Sequence, residues 1–319
     1  MTDSFRAVFF GTPQFAVPCL DALCLVAECV GVVVQPDKPA GRGNVMTAPP
    51  VKQRAIALGI PVFQPTKVKD GTLAQWLVDQ RVDVAVVVAY GRILPLAVLS
   101  AARLGAVNVH ASLLPKFRGA APIQWSVLKG ETHTGVTLMQ MDEGMDTGAI
   151  LSRRIVEIGT HETSGELGAR LSALGAELVR DDLPRFLRGE FTPILQDHAL
   201  ATHAPMLSKD MELLNWKRPA QELDAQVRGL DPWPGTSTRL GARRLLIHRA
   251  TLVDAPILSA GIPGEIVRVD RDVLWIATGA GALGVTELQL EGKKRLTVRE
   301  FLVGHPLRVG TLFGEGIIS

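Results

Sequence analysis

What most limits the fold of this chain is a series of short, almost wholly apolar runs, each followed by a stretch of helical period. Residues 7–10 read Ala-Val-Phe-Phe, 30–34 Val-Gly-Val-Val-Val, and 82–89 Val-Asp-Val-Ala-Val-Val-Val-Ala. A strand that is apolar on both faces has to be covered on both faces, as in a parallel sheet. Between these runs, apolar residues recur at helical spacing: Val17, Leu20, Leu23 and Val26, then again over 51–58 and 73–80. A further strand at 60–63 and a helical turn over 93–99 complete the series. The alternation predicts an α/β fold with a doubly wound, mostly parallel sheet. Ligands of such sheets bind beyond the carboxyl ends of the strands.

Residues 106–110, Ala-Val-Asn-Val-His, end one of these strands at that rim. Asn108 and His110 are two apart, so they project from the same face. An alternating run over 134–141 then leads into a glycine-framed acidic loop, 142–148, which carries Asp146. An amide can donate to a carbonyl oxygen that becomes negative under attack. An imidazole can take a proton at neutral pH, and a carboxylate can orient or balance that imidazole. The same three residues would serve a buried structural histidine equally well, and spacing alone does not separate the two readings.

Residues 35–50, QPDKPAGRGNVMTAPP, are long for a strand-to-helix connection. Lys38 and Arg42 within them fit either a solvent loop or a basic finger that reaches a phosphate-bearing partner. Gly11-Thr12-Pro13-Gln14-Phe15 lacks the later glycines of a dinucleotide fingerprint. The one Gly-x-Gly-x-x-Gly, 279–284, lies between two strand-like runs and reads as a hairpin turn. Residues 165–188 predict a long amphipathic helix with Ser164 as its N-cap, Pro184 kinking or interrupting its last turn and Gly189 as its stop. Periodicity then fades, a short helix follows over 220–229, and Asp231-Pro232-Trp233-Pro234-Gly235 forms a rigid turn.

Beyond Thr236, short alternating runs at 244–250, 265–269, 273–277 and 285–290 predict a small β-barrel of five or six strands. Two basic clusters belong to it: Arg239, Arg243, Arg244 and Arg249, then Lys293, Lys294, Arg295 and Arg299. They read as charged strand edges or as a face for an RNA backbone. A net charge of +2 permits nucleic-acid binding without arguing for it, and one Tyr with ten Phe gives few stacking platforms. Cys19, Cys24 and Cys29, five apart, match neither a metal motif nor a disulfide framework; they read as buried free thiols in a reducing compartment. Residues 1–10 lack the pattern of a secretory leader, and no apolar run is long enough for a membrane span. A soluble cytoplasmic protein is expected.

The wording Asn108-Val109-His110-Ala111-Ser112-Leu113-Leu114-Pro115, then Arg118-Gly119-Ala120-Ala121-Pro122, Gly135-Val136-Thr137, Met141-Asp142 and Asp146-Thr147-Gly148 resembles the 10-formyltetrahydrofolate-dependent formyltransferase family. The resemblance runs over nearly the whole chain. It implies Asn108, His110 and Asp146 as catalytic residues and 10-formyltetrahydrofolate as formyl donor, with no metal. It implies a folate site lined by Ser112, Leu113, Leu114 and Pro115, with Tyr90, Gly91, Arg92, Ile93 and Leu94 forming part of the pterin pocket. The inserted loop with Lys38 and Arg42, and an oligonucleotide-binding-type barrel, imply charged initiator tRNA as acceptor. The product expected is an N-formylated methionine for the start of translation. Domain bounds follow as a catalytic α/β domain at 1–189, a linker at 190–208 and a tRNA-binding barrel at 209–319, in a monomer. Arg118 is left as a phosphate contact or a loop-closing salt bridge. Transfer to a small amine, hydrolysis of the donor, and RNA binding without catalysis are the competing readings.

Overall fold

Each apolar run forms a buried strand. The computed structural model describes residues 5–41, 43–252 and 261–314. They divide into two units. The first holds the chain up to Pro122 with His133–Glu157 and Gly168–Pro205; the second holds Ile123–Thr132, Ile158–Leu167 and the chain from Met206 on.

The strands of the first unit are β1 (Arg6–Gly11), β2 (Glu28–Val33), β3 (Lys38–Ala40), β4 (Val45–Thr47), β5 (Val62–Phe63), β6 (Val84–Val88), β7 (Ala106–His110), β8 (Arg118–Gly119), β9 (His133–Gln140), β10 (Ile150–Glu157) and β11 (His203–Ala204). Seven form one sheet in the order β10-β9-β7-β6-β1-β2-β5. The five from β5 to β7 run parallel, and β9 and β10 return antiparallel on the β7 edge. The order reverses between β1 and β6, the switch point of a doubly wound sheet. All five residues of β6 and all five of β7 are buried, which is why their sequences are apolar throughout except where chemistry intrudes. Helices α1 (Val17–Val26), α2 (Pro50–Ala57), α3 (Thr72–Asp79) and α4 (Leu96–Leu99) make the connections. Val8, Phe10, Leu73, Leu77, Val87 and Tyr90 share the core on one side of the sheet. The insertion at 35–50 is no plain loop: β3 and β4 pair as a hairpin.

Two helices follow, α5 (Pro122–Leu128) and α6 (Ser164–Leu187). The cap of α6 is Thr163 rather than the expected Ser164. The Thr163 hydroxyl accepts from the Glu166 N–H at 3.3 Å, and the Glu166 carboxylate accepts from the Thr163 N–H at 2.8 Å. This reciprocal pair satisfies two helix-end donors, and Ser164 Oγ instead donates to the Asp231 carbonyl. The helix runs through Pro184, which lies so near its end that one lost hydrogen bond does not stop it. Among the described residues, no helix is long and apolar enough to cross a membrane.

The second unit holds α7 (Ala220–Gly229), α8 (Val298–Gly304) and the antiparallel strands β12 (Thr236–Leu240), β13 (Arg243–Leu252), β14 (Ile266–Val269), β15 (Leu274–Ala277), β16 (Ala282–Leu290) and β17 (Leu296–Thr297). The order is β12-β13-β16-β15-β14, with β17 on β16. Leu312 and Phe313 close the barrel: Phe313 bridges Leu240 at the β12 edge, and Leu312 bridges Glu265 beside β14. Leu223, Val227, Ile247, Ile276, Val285 and Phe301 fill the interior. A tight turn over 278–281 joins β15 to β16, with the Thr278 N–H donating to the Gly281 carbonyl, and the rest of the Gly-x-Gly-x-x-Gly, 282–284, opens β16.

Candidate active site

The site is built at the end of β7. Pairing with β6 on one side and β9 on the other fixes this strand, with Asn108 opposite Met139 and His110 opposite Thr137. Asn108 and His110 are both buried. Asp146 comes to them from the β9–β10 loop, its Oδ2 lying 3.6 Å from His110 Nδ1. The other ring nitrogen, Nε2, lies 2.9 Å from the Phe117 carbonyl oxygen. A carbonyl only accepts, so the geometry assigns the hydrogen of neutral His110 to Nε2. Nδ1 is then the position that takes up a proton, and it does so facing a carboxylate. The Asn108 amide makes no side-chain hydrogen bond among the described residues, which leaves its N–H groups free for a ligand.

Several contacts hold the acid in place. Asp146 Oδ2 accepts from the Gly119 N–H at 2.8 Å. Asp146 has φ of +54° and Phe117 has +60°, so both backbone segments beside His110 take the left-handed region that side chains other than glycine seldom adopt. Within the loop, Asp142 Oδ1 accepts from Thr147 Oγ1 at 2.6 Å and the Gly144 N–H at 3.1 Å. Gly148 lies so close to β9 that a Cβ there would stand 1.9 Å from the Gln140 carbonyl oxygen.

The residues that brace this loop carry no signal in the sequence. Gln196 Nε2 donates to the carbonyls of Asp146 (2.9 Å) and Gly148 (2.7 Å). Thr202 Oγ1 accepts from the Phe117 N–H, and the Thr202 carbonyl accepts from the Arg118 N–H. His203 and Ala204 form β11, which pairs with β8. All lie in the stretch expected as a linker, where aperiodic sequence gives no helix or strand signal.

Ser112 to Pro115 follow His110 directly. Thr137 Oγ1 donates to the Ser112 carbonyl at 2.6 Å and accepts from the Leu114 N–H at 3.2 Å, pinning this turn to β9. Leu114 packs with Met139 and Ile150. Tyr90 is a core side chain, edge-on to Phe10, with its hydroxyl buried and unpartnered; burial raises its pKa above the ordinary value. Its carbonyl accepts from Thr12 Oγ1 and Gln35 Nε2. Gly91 turns the chain at φ +79°, Arg92 donates to the Pro65 and Thr66 carbonyls, Ile93 is exposed and Leu94 buried. A cavity of about 390 Å³ opens next to this stretch, lined by Leu96, Leu99, Gln140, Met141, Asp142 and Gly148 among others. None of the nine residues expected at the folate lines it, yet the loop that carries Asp146 forms part of its wall.

Lys38 is exposed on the hairpin, its Nζ donating to Gln35 Oε1 at 3.0 Å. Arg42 lies outside the described residues. Arg118 is buried and fits neither expectation. Its Nε and Nη2 donate to Gln196 Oε1 and its Nη1 to His198 Nδ1, with no carboxylate in ion-pair range among the described residues. Among those residues, no group of three or more His, Cys, Asp or Glu is placed to hold a metal ion.

Comparison with known proteins gives matches over both units. A "formyl transferase" family model matches residues 5–182, and its C-terminal-domain model matches 206–306. The methionyl-tRNA formyltransferase of Sorangium cellulosum is 47% identical over 310 residues, covering 97% of this chain and 100% of the relative. That of Myxococcus xanthus is 46% identical over 306 residues, covering 96% and 97%. Among solved structures, an N-formyltransferase of Helicobacter canadensis, in complex with folinic acid and dTDP-3-aminofucose, superposes with a TM-score of 0.64 at 18% identity, over 88% of this chain and 98% of that one. HypX of Aquifex aeolicus in complex with tetrahydrofolic acid gives 0.61 at 19% identity, over 94% and 47%.

Proposed function

The chain belongs to the formyl transferase family, and from that premise we propose that it moves the formyl group of 10-formyltetrahydrofolate to the α-amine of methionyl-tRNA. The product, N-formylmethionyl-tRNA, starts translation. The observation that carries this reading is near-full-length identity of 46–47%, through both units, to relatives that bear the name of this activity. The structures of the sugar-related and HypX proteins supply the fold only.

The chemistry needs a neutral amine, a polarised formyl carbonyl and a route for one proton. An aminoacyl ester draws electrons from its α-amine, so much of that amine is already neutral at pH 7 and a strong base is unnecessary. Attack forms the new C–N bond and puts negative charge on the formyl oxygen. The Asn108 amide donates to that oxygen, and one such donor is typically worth ~3 kcal/mol. The proton shed by the amine passes to His110, where Asp146 balances the imidazolium and the charged ring helps stabilise the oxyanion. Collapse breaks the bond from the formyl carbon to N10 of the folate, and the proton leaves with that nitrogen. The turn Ser112–Pro115, the stretch Tyr90–Leu94 and the adjoining cavity are assigned to the donor, with Tyr90 contributing through its backbone because its ring is in the core.

Lys38 and Arg42 are assigned to the phosphates of the acceptor arm. We assign residues 1–189 to the catalytic part, 190–208 to a connection whose Gln196, Thr202 and β11 brace the site, and 209–319 to the tRNA-binding barrel. The enzyme is assigned to the cytoplasm, as a monomer. The test is direct: incubate the protein with 10-formyltetrahydrofolate and charged initiator or elongator methionyl-tRNA, and follow N-formylation. Formylation of the initiator form is expected. Formate release without an acceptor, or retained tRNA binding with no transfer, would overturn the reading.

A further inference from the structure

We propose that Gln196 is a positioning residue for this reaction, acting through Asp146, and that Arg118 fixes the direction in which Gln196 works. The inference rests on the formyl-transfer reading above. Gln196 is buried, and all four of its polar contacts are accounted for. Its Oε1 accepts from Arg118 Nε at 3.1 Å and Nη2 at 2.7 Å; its Nε2 donates to the Asp146 and Gly148 carbonyls at 2.9 and 2.7 Å. A guanidinium has donors only. Facing it, the amide has to present oxygen, so its NH₂ group has to face the loop. The orientation is therefore set by chemistry, and a flipped amide would oppose donors to donors and carbonyls to carbonyl.

The grip falls on the residue that needs one. Asp146 sits in the left-handed region, at φ +54°, which aspartate tolerates better than most side chains but which does not by itself fix the loop. The Gly119 N–H holds its carboxylate, and Gln196 holds its main chain. The buried guanidinium of Arg118, without a carboxylate partner among the described residues, has a use on this reading: it locks a neutral amide in the one direction that braces the acid.

The test uses the full chain with Gln196→Ala and Gln196→Glu. The Glu variant keeps acceptors for Arg118 but replaces both loop donors with an oxygen, so it gains a buried ion pair while losing the brace. Both variants are expected to lose about 30- to 100-fold in kcat, the scale of an acid displaced by about an ångström, with the donor KM within threefold. Assays run well below the melting temperature of each variant, measured by circular dichroism, separate the loss from instability. Gln196→Ala added to Asp146→Asn should cost no more than threefold further, whereas added to Asn108→Ala it should multiply. A second readout does not depend on turnover: hydrogen exchange of the Gly119 amide, which donates to Asp146, should speed up at least tenfold in Gln196→Ala. Full activity in the Glu variant, multiplying losses in the Asp146→Asn background, or unchanged Gly119 exchange would overturn the proposal. If the unaltered chain transfers no formyl group, the functional reading fails, and Gly119 exchange still decides whether Gln196 holds Asp146.

Discussion

Replacing Asn108 with alanine tests the chemistry at its narrowest point. The amide is 9% exposed and has no side-chain hydrogen bond among the described residues, so its donors are committed to nothing within the chain. Loss of one oxyanion donor costs ~3 kcal/mol, or about 100- to 200-fold in rate. An unpartnered buried amide contributes little to stability, so Asn108→Ala should melt at or above the wild-type temperature. Asn108→Asp should do worse. A carboxylate about 4 Å from a developing oxyanion repels it by ~4 kcal/mol at an effective dielectric of about 20, so the loss should exceed roughly 1000-fold. The assay is single-turnover N-formylation of charged initiator methionyl-tRNA under saturating donor, with donor affinity measured separately by fluorescence titration. Affinity should change less than twofold in either variant. An alanine variant within fivefold of wild type, or one whose loss lies entirely in donor affinity, would refute the oxyanion assignment.

Gly148→Ala would set a methyl 1.9 Å from the Gln140 carbonyl oxygen, so the loop has to move and carry Asp146 with it. Transfer should fall about 100-fold while the far-ultraviolet dichroism stays that of the wild type; normal turnover would show that the loop tolerates the shift. The Arg249 guanidinium beside Glu166 holds its carboxyl down to about 2, from 4.5 when unpaired. A depressed acid stabilises the fold above its unfolded value and loses that contribution as pH falls through the folded one. The side chains are 30% and 49% exposed, so the formal ~3 kcal/mol shrinks to ~1. Urea unfolding of Arg249→Gln should therefore show its deficit at pH 7 and lose it progressively below about 4.5, and a deficit constant down to pH 3 would contradict the pairing. Of the three thiols, burial pushes Cys19 up to about 12, contact with Cys24 and burial raise Cys29, and the hydrogen bond from Cys29 lowers Cys24. Maleimide at neutral pH should label Cys24 first by peptide mass, and first labelling at Cys19 would count against that environment. Lys38→Ala and Arg42→Ala should slow transfer to charged tRNA more than to a small amine acceptor; equal losses would remove both from the acceptor contact.

The parallel core was legible because burial on both faces leaves no polar positions to confuse the pattern, as in 84–88. Asn108 and His110 stood out for the complementary reason: they are polar side chains in a strand whose other residues are apolar. The small barrel was legible in four of its strands. Its closing pair, Leu312 and Phe313, was not, because two residues carry no periodicity and their partners lie more than seventy and about fifty residues earlier in the chain. The α6 cap was misread for a local reason: Glu166 stands three residues after Thr163, the spacing of a reciprocal cap, but Ser164 lies nearer the apolar pattern. The hairpin in the insertion escaped notice because Val45, Met46 and Thr47 of β4 are exposed, and exposed strands need not alternate.

The stretch after α6 shows where such reading stops in principle. Asn108 and His110 are held by hydrogen bonds to neighbouring strands, so the strand pattern that reveals them also positions them. Asp146 has no such support: it sits on a loop between antiparallel strands, in a left-handed backbone conformation. A carboxylate held only by its own loop would sample many positions, and a contact of 3.6 Å to His110 does not select one. The selection comes from Gln196, fifty residues later, and from β11, which fixes the 117–119 turn that donates to the carboxylate. Chain that makes neither a helix nor a long strand can still pair its backbone and fill buried hydrogen bonds, and those contacts depend on single side chains rather than on a repeating pattern. The acid of the site is therefore readable as a residue in the sequence but not as a position, because its position is determined by chain that lies outside every periodic element.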